Sequence, residues 1–204
     1  MASLLPFDEI NALIREDYTS AENLDVKEQT RRITDKLLDI LIFAYTVGVS
    51  ETRKALGVEV EDEIDEMYEI IWANIGGETF EDRVRTHVEA GDAGRLAVLA
   101  ESEAHRVCET AGYRSAKRAS DEFGITVGKR WETMLDDRVR ATHAYLEGDI
   151  VPLDSEFYTF DGDHAQFPGG FELAENNVNC RCRCTYTTID TAGSVPVSIG
   201  QGSP

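Results

Sequence analysis

Two segments decide how the second half of this chain folds: WETMLDDRVRATH at residues 131–143 and NCRCRC at residues 179–184. The second segment alternates cysteine with arginine. Because alternate side chains of a strand project to opposite faces, a strand over residues 178–187 would present Cys180, Cys182 and Cys184 on one face. The arginines Arg181 and Arg183 would then occupy the other face.

The first segment is predicted to join a strand to a short helix. Apolar and polar residues alternate over residues 125–133, which is typical of a strand. Asp136 is a suitable N-cap for a helix that turns His143 toward the core and ends at Gly148. On that helix Arg140 would lie one turn from Asp136 and Asp137, so these charges are predicted to pair.

Outward from these segments, the first half of the chain is helical by the spacing of its apolar residues. Helices are predicted over residues 25–48, with Gly48 as the stop, and over 61–75, 79–88 and 94–123. The stripe predicted for the 61–75 helix consists of Ile64, Met67, Tyr68, Ile71 and Ile75.

Glu103 falls on the apolar face of the predicted 94–123 helix. A carboxylate placed there needs a cation or hydrogen-bond donors to offset its desolvation. Arg114 lies on the same face, and Arg138 and Arg140 are further candidates from elsewhere in the chain.

The predicted fold class is therefore α+β, with a helical N-terminal half followed by a small mixed α/β module that ends in a cysteine-rich strand. Residues 149–177 are rich in Gly, Asp, Pro and aromatic residues and are predicted to form a long ordered loop with short strands. The predicted divisions are 1–90, a helical partner-binding region; 91–187, the mixed module; and 188–204, a flexible tail or arm.

Charge restricts the classes of partner. The chain has 39 Asp and Glu against 20 Lys and Arg, which gives a net charge of -19. Such a field repels phosphate, so we expect no sequence-specific nucleic-acid binding. Only five of the basic residues are Lys, a balance that fits both a high-salt host and an ordinary acidic protein. The N-terminus lacks the features of a secretory signal, and the most apolar run, 37–49, is too short to span a membrane.

The order and spacing of the motifs indicate a family. A Trp is followed by Asp-Asp-Arg-x-Arg-x-x-His, a Gly, an extended loop and a terminal Asn-Cys-Arg-Cys strand, and in this the sequence resembles the phage Mu F-like minor head proteins. Upstream, the run 99–103 resembles the Thr-Glu helix of that family, with Ser102 where Thr is usual. The resemblance spans about residues 95–187.

This resemblance implies a minor capsid protein of a tailed virus that acts in head morphogenesis. It implies synthesis in the host cytoplasm, a place in the virion inside the head or at the portal vertex, and partners among portal, major capsid and scaffold proteins. The residues expected to form a structural network are Glu103, Trp131, Asp136, Asp137, Arg138, Arg140, His143, Cys180, Arg181 and Cys182.

Two interpretations of the cysteines stay open. The first is a Zn²⁺ site with nitrogen and sulfur ligands, drawn from His143, Cys180, Cys182 and Cys184. Some relatives have cysteines at the positions of Arg140 and His143 and a His three residues before the first strand cysteine, where this chain has Asn177. The second is a set of buried thiols that ties loop to strand, favoured because same-face strand positions are about 7 Å apart.

A catalytic function is the main alternative to a structural one. Glu103 and Asp137 could serve as an acid and base pair, but carboxylates among arginines are usually structural. Mu F-like modules are also joined to toxin domains, so a transferase-like enzyme or effector is the second hypothesis. No nucleophile-elbow, phosphate-loop or dinucleotide motif occurs, and we expect no enzyme activity. His87 and His105 are expected to be solvated or capping, and His164 to lie in a turn.

Overall fold

The computed structural model describes residues 4–61 and 63–190, and its order of elements confirms the α+β class. The helical part consists of α1 (Phe7–Ala21), α2 (Val26–Leu56), α3 (Ile64–Ile71), α4 (Phe80–Glu89) and α5 (Ala93–Phe123). The second part contains β1 (Val127–Glu132), α6 (Ala141–Ala144), β2 (Ile150–Pro152), β3 (Phe157–Tyr158), β4 (His164–Ala165), α7 (Ala174–Asn177) and β5 (Arg183–Thr188). Residues 191–204, most of the predicted tail, lie outside the described residues.

The long helices α2 and α5 pack against each other along the centre of the molecule. Asp25 caps α2 by accepting a 2.9 Å hydrogen bond from the Glu28 amide, and the helix ends at Gly57 with φ 67°. The prediction that Gly48 ends this helix is wrong. A Cβ atom at Gly48 would lie 2.1 Å from the carbonyl oxygen of Cys108, so this glycine allows close approach of the two backbones.

Helices α3 and α4 both pack against α2 and α5. The predicted helix over 61–75 is shorter in the structure, and its predicted stripe is largely exposed: Ile64 is 66%, Tyr68 45% and Ile75 39% exposed. Of the predicted stripe the helix buries Ile71, with Met67 partly buried against the core, and it also buries Ile70, which the stripe left out. The predicted α4 is confirmed, and Thr79 and Asp82 form its capping box.

The second part is built on an antiparallel sheet of order β2-β1-β5, with a separate β3-β4 pair. The alternation predicted for β1 is confirmed, since Val127, Lys129, Trp131 and Thr133 are buried while Arg130 is exposed. Strand β5 starts at Arg183, later than the predicted residue 178. The left-handed conformation of Asn179, with φ 56°, interrupts the extended chain before that point.

Two hydrophobic clusters meet on α5. One lies among α1–α5 and extends to Ala111, and the other begins at Ala116 and surrounds Trp131 with residues of the sheet and the loops. In the described part of the chain, no helix is long and apolar enough to cross a membrane.

Candidate functional site

His143 reaches the interior from α6, a single helical turn. The prediction that Asp136 caps this helix is wrong, because the residue at the cap is Arg140 and it makes no side-chain cap bond. Asp136 instead accepts a 3.1 Å hydrogen bond from the Arg138 amide within the preceding turn. Leu135, at φ 56°, redirects the chain at this turn, so the helix begins later than predicted.

The imidazole of His143 meets two thiols in a buried cluster. Its Nδ1 atom lies 3.6 Å from Cys180 Sγ and 3.5 Å from Cys182 Sγ. The two sulfurs can converge because residues 178–182 are not in a strand, so the spacing of about 7 Å does not apply to them. Hydrogen bonds from Cys182 and His143 lower the pKa of the Cys180 thiol. The hydrogen bond of Cys182 to Cys180, together with burial, raises the pKa of the Cys182 thiol.

Cys184 does not belong to this cluster. Among the described residues, the group of possible metal ligands within 4.8 Å of one another is His143, Cys180 and Cys182. Cys184 lies on β5 opposite Trp131, and its backbone amide donates a 2.9 Å hydrogen bond to Glu109 Oε2. The predicted set of four ligands is therefore wrong at Cys184, because the regular strand carries that side chain away from the bend at 179–182.

The donor set fits zinc only in part. A structural Zn²⁺ site is nearly always four-coordinate, and within the described chain three donors converge here. Arg140 and Asn177, at the positions where the resemblance would place further ligands, form hydrogen bonds to the backbone. Arg140 donates to the carbonyl oxygen of Val178, and Asn177 bonds the amide and carbonyl of Phe171 at 2.9 and 2.6 Å.

Aromatic rings close the cluster. The His143 ring stacks on Phe171 with centroids 5.3 Å apart and meets the edge of Trp131 at 5.4 Å. Trp131 is fully buried and also contacts Phe157 at 5.2 Å. His143 is 1% exposed, Cys180 4% and Cys182 3%, so solvent does not reach the thiols freely.

An ion pair ties the cluster to the turn before α6. Arg181 donates to both carboxylate oxygens of Asp136, at 2.7 and 2.8 Å, and this lowers the pKa of Asp136 to about 2. The predicted pairing of Arg140 with Asp136 and Asp137 is wrong, because the late start of α6 separates them. Asp137 is exposed, and no ion pair or hydrogen bond of its side chain occurs among the residues that the structure describes. Arg138 lies 3.7 Å from Asp136 and is 73% exposed.

A family comparison identifies the module to which this site belongs. The family described as phage Mu protein F like protein matches residues 65–185, which include α3, α4, α5, the cluster and its ties. This chain belongs to the phage Mu protein F like family. The match begins ahead of the motifs that indicated the resemblance, so part of the N-terminal half also belongs to the Mu F-like region.

Two proteins similar to this chain have different names. Minor head protein GP7 of Bacillus phage SPP1 is 35% identical over 99 residues, which cover 48% of this chain and 30% of that protein. NAD(+)–arginine ADP-ribosyltransferase EFV of Enterococcus faecalis is 38% identical over 100 residues, which cover 48% of this chain and 19% of that protein. The match thus spans less than a third of either relative. No solved structure matches the chain.

Within the Mu F-like region, Glu103 forms a separate ion-pair group. Arg83 and Arg106 donate to it at 2.6 and 2.9 Å, and Arg106 also donates to the carbonyl oxygen of Ile70. Burial raises the pKa of Glu103, but these two guanidinium groups outweigh it and the net pKa is lowered. The predicted partners Arg114, Arg138 and Arg140 are wrong, because α4 packs closer to this turn of α5 and supplies Arg83.

The predictions for His105 and His164 are both wrong. His105 is buried, and its Nε2–H donates a 2.7 Å hydrogen bond to the carbonyl oxygen of Cys182, which is not in a helix, so the prediction that His105 is solvated or capping is wrong. The prediction that His164 lies in a turn is wrong, because His164 begins β4 and pairs with Tyr158. The turn just precedes it, where buried Asp163 accepts hydrogen bonds from the amides of His164 and Glu172 and from the side chain of Asn176.

Two buried charged residues of the Mu F-like region were missed. Burial raises the pKa of Glu109 to about 8, and burial lowers the pKa of Lys129 to about 8. Lys129 donates to Gln166 at 2.6 Å and lies over the rings of Tyr113 and Phe157. The burial of Lys129 could have been predicted from sequence, because Lys129 alternates in phase with Val127 and Trp131 on β1. Glu109 gave none, since α5 is buried on more than one face.

Proposed function

We propose that this chain is a minor component of a tailed-virus head that acts by binding other head components during assembly. The observation that carries this proposal is its membership of the Mu F-like family together with its similarity to a phage minor head protein. A head protein family fits a structural role better than a catalytic one. The site agrees, since its thiols and imidazole are closed from solvent.

The partners that we propose are the portal protein and the major capsid or scaffold protein. The proposed division of labour gives the helical residues 1–90 to partner binding and residues 91–187 to a compact module. The predicted tail or arm over 188–204 is wrong at its start, because Thr188 pairs with Val127 in the sheet and Ile189 is buried, and its remainder from 191 lies outside the described residues. The net charge of -19 supports a protein that stays near packaged DNA without adhering to it. We infer no sequence-specific nucleic-acid binding.

We propose that the cluster of His143, Cys180 and Cys182 is a structural tie and not a catalytic centre. Together with Arg181, Arg140 and Asn177 it links the turn before α6, the 171–179 loop and the start of β5. The network predicted from sequence is thus proposed in a revised form, with the Glu103 group as a second tie between α3, α4 and α5.

Mass spectrometry of purified virions and proheads, combined with crosslinking, tests the head assignment. We expect this chain at low copy number, with crosslinks to portal, capsid or scaffold protein. If it is absent from both particles while it is expressed in infected cells, the head assignment fails.

The alternative is an enzyme or effector built on the Mu F-like module. The observation in its favour is the similarity to the Enterococcus faecalis ADP-ribosyltransferase, of which the match covers 19%. Incubation of the purified chain with NAD⁺ and an arginine-containing acceptor separates the two proposals. We expect no release of nicotinamide above the blank. Turnover that follows protein concentration would favour the enzyme.

A further inference from the structure

Two neighbouring cavities lie on the surface formed by α4, α5 and the 169–181 segment. The first, called here the apolar groove, has a volume of about 500 Å³, and its mainly apolar floor includes Ile75, Val98, Leu99 and Val178. The second, called here the arginine pocket, has a volume of about 390 Å³ and is lined by Arg138, Arg140, Arg181 and Asn179 among others. Both cavities adjoin the ties described above: Arg83, Glu103 and Arg106 also line the groove, and Cys180 also lines the pocket.

The groove and the pocket form one continuous surface. Ser102 lines both cavities, and the consecutive residues Val178 and Asn179 line one each. The Ser102 hydroxyl is buried and has no hydrogen-bond partner among the described residues. A ligand that fills the groove can therefore extend past Ser102 into the pocket.

The arginine pocket has more cationic than anionic groups. Arg140 donates to a backbone carbonyl and, within the described chain, has no carboxylate partner. Arg138 and Arg181 share a single carboxylate, that of Asp136. Glu101, the other acidic residue of the lining, is bonded by Asn11 at 2.6 Å. Three guanidinium groups facing two carboxylates are unusual on a chain of net charge -19, and guanidinium groups prefer carboxylate or phosphate ligands.

The apolar groove can accept apolar side chains, whereas the arginine pocket can accept acidic ones. Ile75 and Val178 are each 39% exposed, so an apolar ligand can remove part of their surface from water. Arg95, 78% exposed, and His87 also line the groove. The chemistry of this surface is thus apolar at one end and cationic at the other.

We propose that the apolar groove and the arginine pocket together bind an acidic peptide segment of a partner protein. Its apolar side chains occupy the groove, and an Asp or Glu that follows them pairs with Arg138 and Arg140. The proposal rests on the proposed function only in taking the partner to be another head component. A polynucleotide is disfavoured, because its phosphates would meet an apolar floor here and a strongly acidic surface beyond it.

Selection of random displayed peptides on the purified chain, followed by fluorescence anisotropy of the enriched peptides, tests this proposal. We expect enriched sequences with apolar residues next to Asp or Glu, and weaker binding in salt. Arg138→Gln should weaken binding by about fivefold or more, because it removes a charge-assisted contact. Ile75→Ser should weaken it at the groove end.

Matched controls are Arg31→Gln and Leu13→Ser, which alter similarly exposed residues outside this surface and should leave affinity unchanged. Arg138→Gln is preferred to Arg140→Gln because Arg138 is 73% exposed and its ion pair with Asp136, at 3.7 Å, is longer than that of Arg181 at 2.7 Å. Equal melting temperatures of the variants and the parent chain ensure that lost binding is not lost folding.

Several outcomes would overturn the proposal: no enrichment, enriched peptides without acidic residues, or affinities that Arg138→Gln leaves unchanged. Competition by duplex DNA that depends on Arg138 would assign the surface to nucleic acid instead. Self-association abolished by Arg138→Gln would assign it to a second copy of this chain. The peptide selection uses the isolated protein, so it is independent of the virion experiment. If no peptide is enriched, the head assignment is unaffected; if the chain is absent from virions, a peptide-binding surface can still be established.

Discussion

At the scale of single residues, burial and charge partners determine what each candidate side chain does. Asp136 is paired near the surface and Glu103 is paired in the interior, whereas Glu109 is buried and forms no ion pair with the residues that the structure describes. Their pKa values depart from the usual range in different directions for these reasons. Each can be tested by its effect on stability as pH changes.

Asp136 should stabilise the protein against mild acid. Its pKa of about 2 in the folded protein lies below the ordinary 3.8 because Arg181 binds the carboxylate. The stabilisation is fully present above the unfolded pKa and is lost as pH falls toward 2. Asp136→Asn should therefore lower the melting temperature at pH 6 and flatten its decline below pH 4. Asp137→Asn is the matched control, and an equal effect of both substitutions would contradict the ion-pair explanation.

Glu109 should have the opposite pH dependence. Its pKa of about 8 in the folded chain is higher than the ordinary 4.5, so the unfolded state loses its proton first. Stability from this group is greatest below pH 4.5 and falls as pH rises toward 8, by on the order of a few kcal/mol. Glu109→Gln keeps an acceptor for the Cys184 amide and cannot ionise. We expect the variant to gain relative stability between pH 5 and 8 in thermal unfolding, and parallel curves would exclude the effect.

The buried cluster should fold without metal. Three donors and hydrogen-bonding residues at the positions of further ligands indicate a thiol and imidazole tie. We expect purified protein to contain well under one zinc per chain by elemental analysis and EDTA to leave its melting temperature unchanged. Close to one zinc per chain, lost in Cys182→Ser but kept in Cys184→Ser, would instead establish a metal site with an added outside ligand.

At the scale of elements, the contact between α2 and α5 organises the helical part. Gly48 and Gly112 face each other across this contact, and Thr52 donates to the carbonyl oxygens of both, at 2.9 and 3.3 Å. Because the two backbones approach so closely, small residues are required at the crossing. Helix α5 then continues past it and carries the second cluster, so the position of the sheet depends on this contact.

Gly48→Ala should strongly destabilise the chain. The added Cβ would lie 2.1 Å from the carbonyl oxygen of Cys108, and backbone cannot move away as a flexible side chain does. We expect a loss of roughly 2–4 kcal/mol in the free energy of unfolding by urea titration, although alanine is the better helix former. Ser50→Ala, at an exposed position of the same helix, should be nearly neutral. A Gly48→Ala variant as stable as this control would disprove the close contact.

At the scale of the whole molecule, net charge is the dominant property. At -19, the folded chain repels itself, and the described ion pairs do not remove that excess. Screening shortens the Debye length to about 10 Å at 0.1 M salt and about 3 Å at 1 M, so repulsion weakens quickly. An acidic protein of this kind should tolerate a concentrated ionic environment.

Melting temperature should therefore rise with NaCl, most steeply below about 0.5 M, where screening and not ion-specific hydration dominates. Potassium chloride should produce the same rise, and an uncharged osmolyte at equal osmolality should not reproduce its steep initial part. A melting temperature that falls with salt would mean that the internal ion pairs, such as those of Glu103 and Asp136, contribute more than the net repulsion.

The sequence by itself determined the fold class, the family and most of the element positions. The alternation of β1 and the position of α4 follow from local patterns, because periodicity depends on residues a few positions apart. The spacing of the 131–143 and 179–184 segments likewise identified the Mu F-like module. Helix α1 was not predicted, and Gly48 was taken as a stop because a glycine in a helix has the same local signature in either role.

Only the tertiary structure decided which side chains meet. Arg181 and not Arg140 binds Asp136, Arg83 and Arg106 bind Glu103, and Cys184 is separated from the other two thiols. Apart from that of Arg106 with Glu103, these contacts join residues far apart in the chain, and those of Arg181 and the thiols depend on where α6 begins and on the left-handed turn at Asn179. A shift of one residue in either place redirects every side chain that follows, so charge and residue type alone could not select the partner.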